Sequence, residues 1–280
     1  MNTKDGHWWT KPWNPIKVKG GGWHCTKCSP GCKNCWAEGM NIRFGNGEDF
    51  NGVNHQTEYF PGFEIDRHIL ESPIHWKKPQ VIAFQWLGDP LHELISPSLL
   101  DECLEVIRKA KQHIVLMLTK RPQNFSGSDI KNLWHGVSIC TQKEADEKIP
   151  ILLQIPAAHR FVNLGPMLEN ISLKFTGCPN CGQSKQCWFP NYTICKACGK
   201  EVKSPPDSLD WVTLECESGP RRRPMKLEWA RSIAEQCESA GVPLFIKQLP
   251  IASRVSHDPT EWPEYLRIRQ WPFSLENWIN

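Results

Sequence analysis

The fold is decided by the stretch Val81-Ile-Ala-Phe-Gln-Trp86-Leu-Gly88-Asp89-Pro90, then Ser96-Pro97 and a helical run, then Ile114-Val-Leu-Met-Leu118-Thr119-Lys120-Arg121-Pro122. Each apolar run is short, rich in β-branched residues and closed by a turn signal, so it reads as a buried strand. Between them, Ser96 supplies a capping residue and Pro97 suits the first helical position. Leu99, Leu100, Cys103, Leu104, Ile107 and Ala110 then recur at helical spacing. Asp101 and Glu102 sit early and Arg108, Lys109 and Lys111 late, as the helix dipole favours.

The same strand-then-helix unit recurs downstream. Leu133–Ile139 precedes a polar helix start at Thr141, Phe161–Leu164 ends at Gly165-Pro166, and Trp211–Leu214 ends at Glu217-Ser218-Gly219. A helix after Pro224 carries Met225, Trp229, Ile233 and Cys237 on one face and stops at Gly241 and Pro243. Leu244–Ile246 is the last strand expected, and Ile16–Val18 the first, giving about seven units. Repeated βα units call for a parallel sheet covered by helices, either open or closed. The expected fold is α/β, a partial or closed (β/α) barrel. Gln85, Asp89, Thr119, Lys120, Ser138, Glu217, Lys247 and Gln248 follow the strands, on the rim where such barrels build their sites.

Composition narrows the classes. A chain of 280 residues with 40% hydrophobic and 22% charged residues has the makings of a globular core. A net charge of +3 is too mild to argue for nucleic acid by itself. No signal-like or membrane-spanning apolar run is present, so no membrane role and a cytoplasmic location are expected. In a reducing compartment, 13 cysteines read as metal ligands rather than a disulfide framework. Cys103, Cys216 and Cys237 fall in apolar stretches and read as core thiols.

The cysteines cluster twice. Cys178-Pro-Asn-Cys181-Gly and Cys195-Lys-Ala-Cys198-Gly are two knuckles separated by thirteen residues, the spacing of a tetrahedral Zn²⁺ site. They mark residues 175–208 as a zinc-ribbon insertion between a main domain formed by 1–174 and 209–280. The insertion has few apolar residues, so the metal would supply its folding energy. The second group, Cys25-Thr-Lys-Cys28-Ser-Pro-Gly-Cys32-Lys-Asn-Cys35, places four thiols within eleven residues. Four thiolates can close around Zn²⁺; alternatively, three hold a [4Fe–4S] cluster whose fourth iron stays open to a small molecule. The Cys28-x3-Cys32-x2-Cys35 spacing is the pattern of radical S-adenosylmethionine (SAM) enzymes, in which the open iron chelates SAM and electron transfer cleaves it.

Across nearly its whole length the chain resembles a phage-associated, radical-SAM-like family of uncharacterised proteins from phages, prophages and bacteria. The resemblance is carried by Trp13-Asn-Pro15, Cys32-Lys-Asn-Cys35-Trp-Ala-Glu38, Gly88-Asp-Pro-Leu-His92-Glu93, Leu118-Thr-Lys-Arg-Pro122, Trp134-His-Gly-Val-Ser138, Glu217-Ser-Gly-Pro220, Arg223-Pro-Met225 and Phe245-Ile-Lys-Gln248. It implies a barrel of the radical SAM type in a bacterial or phage-infected cell. Its Cys-x6-Cys-x2-Cys pattern maps onto Cys25, Cys32 and Cys35, which makes Cys28 the extra thiol. It also implies a flavodoxin- or ferredoxin-type reductant and, by phage association, a nucleotide, nucleic acid or modified DNA base as substrate. Asp89, Ser138, Glu217 and Arg223 become candidate SAM-binding residues, with Asp89, Lys120, Glu217 and Lys247 as candidates for catalysis. This chain departs from the pattern at three places. The glycine pair before Glu217 is Glu215-Cys216, the acid before Pro166 is Gly165, and the acid after Ile139 is Cys140. The competing expectation is a non-catalytic zinc protein that recognises nucleic acid or a protein partner.

Overall fold

In a computed structural model, which describes residues 6–50, 60–173, 199–200 and 209–274, the chain is a mixed α/β protein. Its strands are β1 (Lys11–Trp13), β2 (Ile16–Val18), β3 (Phe63–Ile65), β4 (Val81–Phe84), β5 (Ile114–Thr119), β6 (Leu133–Ile139), β7 (His159–Leu164), β8 (Trp211–Glu215), β9 (Leu244–Ile251) and β10 (Arg254–Ser256). Its helices are α1 (Trp36–Phe44), α2 (Arg67–Leu70), α3 (Ser72–His75), α4 (Pro97–Lys109), α5 (Gln142–Gln154) and α6 (Leu227–Ala240). Eight strands form one sheet in the order β1-β4-β5-β6-β7-β8-β9-β10. All pairings are parallel except β9 with β10. Thus β1 and β10 are the edges of the sheet, and pairing between them is not seen among the described residues. The insertion expected over 175–208, with Cys178, Cys181, Cys195 and Cys198, lies outside the described residues except for 199–200.

The βα alternation fixes the order of β4 to β9, and two differences have plain causes. Ile16–Val18 does form a strand, but it pairs antiparallel with β3 in a separate two-stranded sheet. The strand that completes the parallel set is β1, pairing Trp13 with Phe84. Lys11-Pro12-Trp13 carries no apolar run, and a proline without an N–H is tolerated because β1 is an edge. The last parallel strand also runs on to Ile251, so Lys247 and Gln248 are inside β9 rather than in a loop.

Both faces of the sheet are covered. On one face α4, α5 and α6 cover two apolar clusters, with Val162, Leu164, Val212 and Ile246 in the first and Val115 and Met117 in the second. The other face carries Val81, Ile114, Leu116, Trp134, Phe161, Trp211 and Phe245, with Trp8 laid against them. Trp8 meets Phe161 and Trp211 edge-on at centroid distances of 5.6 and 5.4 Å. Further along the same strands, at the same period of two, this second face changes from aromatic to polar: Lys120 after β5, Ser138 on β6, Asn163 on β7, Glu215 on β8 and Lys247 on β9. The polar end is therefore the C-terminal end of the parallel strands, outside which open α/β sheets bind ligands.

His135 is an exception in the core. It is 2% exposed, stacks on Phe125 at 4.9 Å, and neither ring nitrogen has a hydrogen-bond partner among the described residues. Burial, reinforced by Arg160 and His159, lowers its pKa from 6.5 to about 3. The unfolded chain therefore binds a proton below pH 6.5 that the folded chain refuses, and folding weakens as pH falls from 6.5 toward 3. The slope from this residue approaches about 1.4 kcal/mol per pH unit. His135→Phe should flatten the fall in urea-unfolding free energy between pH 6.5 and 4.5; parallel curves for the two proteins would refute the neutral buried imidazole.

Candidate functional site

A cavity of about 400 Å³ opens at the C-terminal ends of the parallel strands. Cys25, Cys32 and Cys35 line it together with Asp89, Lys120, Ser138, Glu217 and Lys247. Eight of the ten candidate residues of the main domain are thus brought to one cavity. Cys28 is not on its wall; it is exposed, and its thiol donates to Cys32. Arg223 stands behind the wall, bound to Glu217.

The cysteine loop is held by its neighbours more than by a core of its own. Ser29 caps a short 3₁₀ turn over Pro30–Cys32, accepting from the Gly31 N–H at 3.1 Å. On one side Arg121 reaches the loop: Nη2 donates to Thr26 O and Oγ1 at 2.9 and 2.7 Å, and Nη1 points at Cys25 Sγ at 3.8 Å. On the other side Asn34 donates to Glu217 at 3.0 Å and to Arg221 O at 2.8 Å, while Arg223 donates to Pro30 O at 2.8 Å. Beneath it lies Cys140. A Cβ on Gly31 would sit 2.2 Å from Cys140 Sγ, so only glycine lets the loop lie this close.

Charge around the thiols is uneven. Cys32 is held down to about 5, first by the Cys28 hydrogen bond, against burial and with the help of Lys120. Burial and the Asp89 charge push Cys25 up to about 12, although Arg121 opposes them. Burial likewise raises Cys35, and it raises Cys140 to about 11. Burial disfavours the Lys120 ammonium, but the surrounding Cys140, Cys32, Cys35 and Asp89 raise its pKa. Lys120 Nζ donates to Ser138 Oγ at 2.9 Å and has no carboxylate partner among the described residues. It is a cation aimed at the same space as the cysteines.

Two of the expected ligand-binding acids are already occupied. Asp89 Oδ1 accepts from Thr119 Oγ1 at 2.6 Å and from the Leu91 N–H at 3.0 Å; Oδ2 accepts from the Lys120 N–H and Arg121 Nη1 at 2.9 and 3.1 Å. Glu217 accepts from the Arg223 N–H, Nε and Nη2 and from Asn34. Burial pushes Glu217 up, but these donors outweigh it and keep its pKa below the usual range. Both acids position the rim. The carboxylate that faces the cavity with fewer claims on it is Glu215, paired with Lys247. Glu215 was not among the expected site residues, nor were Asn163 and Cys140. The period-two alternation carries Asn163 and Glu215 onto the cavity face, and that is the signal that marks them.

A family described as "Protein of unknown function (DUF5131)" matches residues 4–259. The chain belongs to that family. Every cavity residue named above falls inside the matched span. No curated protein and no solved structure matches the chain.

Among the described residues, no three His, Cys, Asp or Glu side chains converge on one metal position. A single Zn²⁺ needs four ligand atoms about 2.0–2.3 Å from one point. A cubane cluster instead takes each thiolate at a separate iron, so ligands set apart along one wall suit it. Cys25, Cys32 and Cys35 on one wall, with Lys120 and Arg121 beside them to offset the charge of bound thiolates, fit a [4Fe–4S] cluster. Cys28, exposed and not among the lining residues, does not.

The Gly31–Cys140 contact predicts a pair of effects. Gly31→Ala should lower the melting temperature of the metal-free protein and its iron uptake on reconstitution. Adding Cys140→Ala should restore much of both, because the colliding sulfur is gone. If the double variant is no better than Gly31→Ala alone, the contact does not set the loop.

Proposed function

We propose that this chain is a radical SAM enzyme that acts on a nucleotide, a nucleic acid or a modified DNA base, on a partial (β/α) barrel of the radical SAM type. One observation carries the reading: three cysteines of a Cys-x6-Cys-x2-Cys run line a cavity at the C-terminal ends of parallel strands, beside a lysine that has no carboxylate partner among the described residues. The resemblance to the phage-associated radical-SAM-like family supports the same choice of ligands. Cys25, Cys32 and Cys35 would hold the cluster. When bound, it would deliver an electron from a flavodoxin- or ferredoxin-type reductant to SAM.

The protein's own part is binding, orientation and exclusion of water. Lys120, with its ammonium free on the cavity side of Ser138, suits the carboxylate of an amino acid ligand. Asp89 and Glu217 hold the two flanks of the cysteine loop at fixed positions relative to β4, β5 and β8 rather than touching ligand. No helix among the described residues is long and apolar enough to cross a membrane, in keeping with a substrate met in the aqueous phase.

Anaerobic reconstitution of the full chain tests the reading. About four irons and four sulfides per chain are expected, together with dithionite-dependent release of 5′-deoxyadenosine from SAM. Cys32→Ala and Cys25→Ala should each abolish that release, whereas Cys28→Ala should retain it. Zinc in place of iron after reconstitution would overturn the proposal in favour of a zinc-binding recognition protein. Loss of release in Cys28→Ala but not in Cys25→Ala would overturn the ligand choice.

A further inference from the structure

Part of the cavity wall has a chemistry that the cluster does not use. Glu215 and Lys247 form an ion pair on its wall. Asn163 stands beside them: its Oδ1 accepts from Thr213 Oγ1 at 2.9 Å, and its amide nitrogen has no partner among the described residues. A Cβ on Gly165 would lie 2.6 Å from both Glu215 Oε1 and Asn163 Nδ2, so glycine there leaves the two groups open to the cavity. A carboxylate, an ammonium and an amide side by side offer acceptor and donors together, with no net charge. Such an end does not attract a free anion. It suits the edge of a neutral heterocycle that carries adjacent donors and acceptors.

The remaining wall supplies faces. Trp9 and Trp86 both line the cavity, in edge-to-face contact at 5.9 Å. Trp36, on the cavity lip at the start of α1, is 53% exposed. Positive charge sits on the two loops that the cavity-lining Asn34 joins. Lys33 and Arg221 are exposed, neither has an ion-pair partner among the described residues, and the Asn34–Arg221 hydrogen bond holds their loops together. A neutral hydrogen-bonding edge and aromatic faces thus share one cavity, with cations on the loops beside it. A base with its phosphates presents matching groups.

We infer that the substrate is a nucleotide unit within a single-stranded polynucleotide, its base edge read by Glu215, Lys247 and Asn163 and its backbone phosphates held by Lys33 and Arg221. Two cations on different loops beside the cavity favour a chain of phosphates over a single one. The inference rests on the enzyme reading only for what is done to the bound base; the binding itself needs neither cluster nor SAM.

The test is titration of the full-length protein, without SAM, with single-stranded DNA dodecamers of dT, dC or dA and with the matching deoxynucleoside monophosphates, followed by tryptophan fluorescence. Saturable quenching by dodecamers, with one base preferred, is expected. Lys33→Glu combined with Arg221→Glu should weaken binding by about tenfold or more and flatten its salt dependence. Glu215→Gln should change the order of base preference while leaving the salt dependence as it is. The inference is overturned if dodecamers do not quench, if monophosphates bind as tightly as dodecamers, if the double charge variant binds like the original, or if Glu215→Gln keeps the same base order. SAM cleavage without dodecamer binding would sink this inference and leave the enzyme reading standing. Dodecamer binding without iron would do the reverse.

Discussion

The Arg121 guanidinium is the interaction on which the rest of the site depends. It is 2% exposed, and its donors join two parts of the chain, the cysteine loop and the segment after β4. Nε reaches both oxygens of Glu93 at 2.7 and 2.9 Å, Nη1 reaches Asp89 at 3.1 Å, and Nη2 reaches Thr26. A buried charge is costly unless its partners are close and its hydrogen bonds are met, and removing one partner of such a pair typically costs about 3–5 kcal/mol. The planar fork of arginine meets several acceptors at fixed angles, which a lysine at this position would not. The ends of β4 and β5 and the cysteine loop are thus fixed to one another through a single side chain. Glu217 and Arg223 make the equivalent tie on the β8 side, through Asn34 and Pro30 O. Between these two ties the cysteines need no core beneath them, only the close bed provided by Cys140.

Much of this was legible in the sequence, and what was not has physical causes. The order of β4 to β9 follows from short apolar runs closed by turns, since strands buried on both faces read as continuous apolar stretches. That same continuity hides which residues share a face. In Ile114–Thr119 nothing in the letters separates Leu116, on the aromatic face, from Met117, under the helices. The faces become readable only where the apolar run ends, and there the polar residues mark the cavity: Lys120, Ser138 and Lys247 were visible for that reason. Edge strands escape because they lack the burial that produces the pattern, as Lys11–Trp13 shows. A strand's partner escapes too: Ile16–Val18 has strand character, but periodicity does not say that Ile65 lies opposite Ile16.

Carboxylates show a different limit. Sequence marks Asp89 and Glu217 as acids on the rim, yet a position says nothing about whether the oxygens are spent. Asp89 accepts four hydrogen bonds from its own chain, leaving little lone-pair capacity for a ligand. Glu215, by contrast, shares its carboxylate chiefly with Lys247, and it occupies the cavity. The distinction between a positioning acid and a ligand-facing acid is one of local accounting, made by neighbours distant in sequence.

The departures at Gly165, Glu215 and Cys140 are linked by the same geometry. A side chain at 165 and the carboxylate at 215 compete for one volume, because a Cβ on Gly165 would fall 2.6 Å from Glu215 Oε1. With no side chain at 165 there is room for an acid on the neighbouring strand. Gly165 and Glu215 are therefore linked across the β7–β8 pairing, in which Leu164 opposes Leu214. Cys140 follows a similar logic. Its sulfur lies against Gly31 and within 3.9 Å of Ser29 Oγ, where an ionised carboxylate would stand beneath the cysteine loop. A thiol there keeps the packing with less charge next to the loop thiols. Read this way, the three departures move and retune the polar groups of the cavity while keeping a carboxylate on its wall.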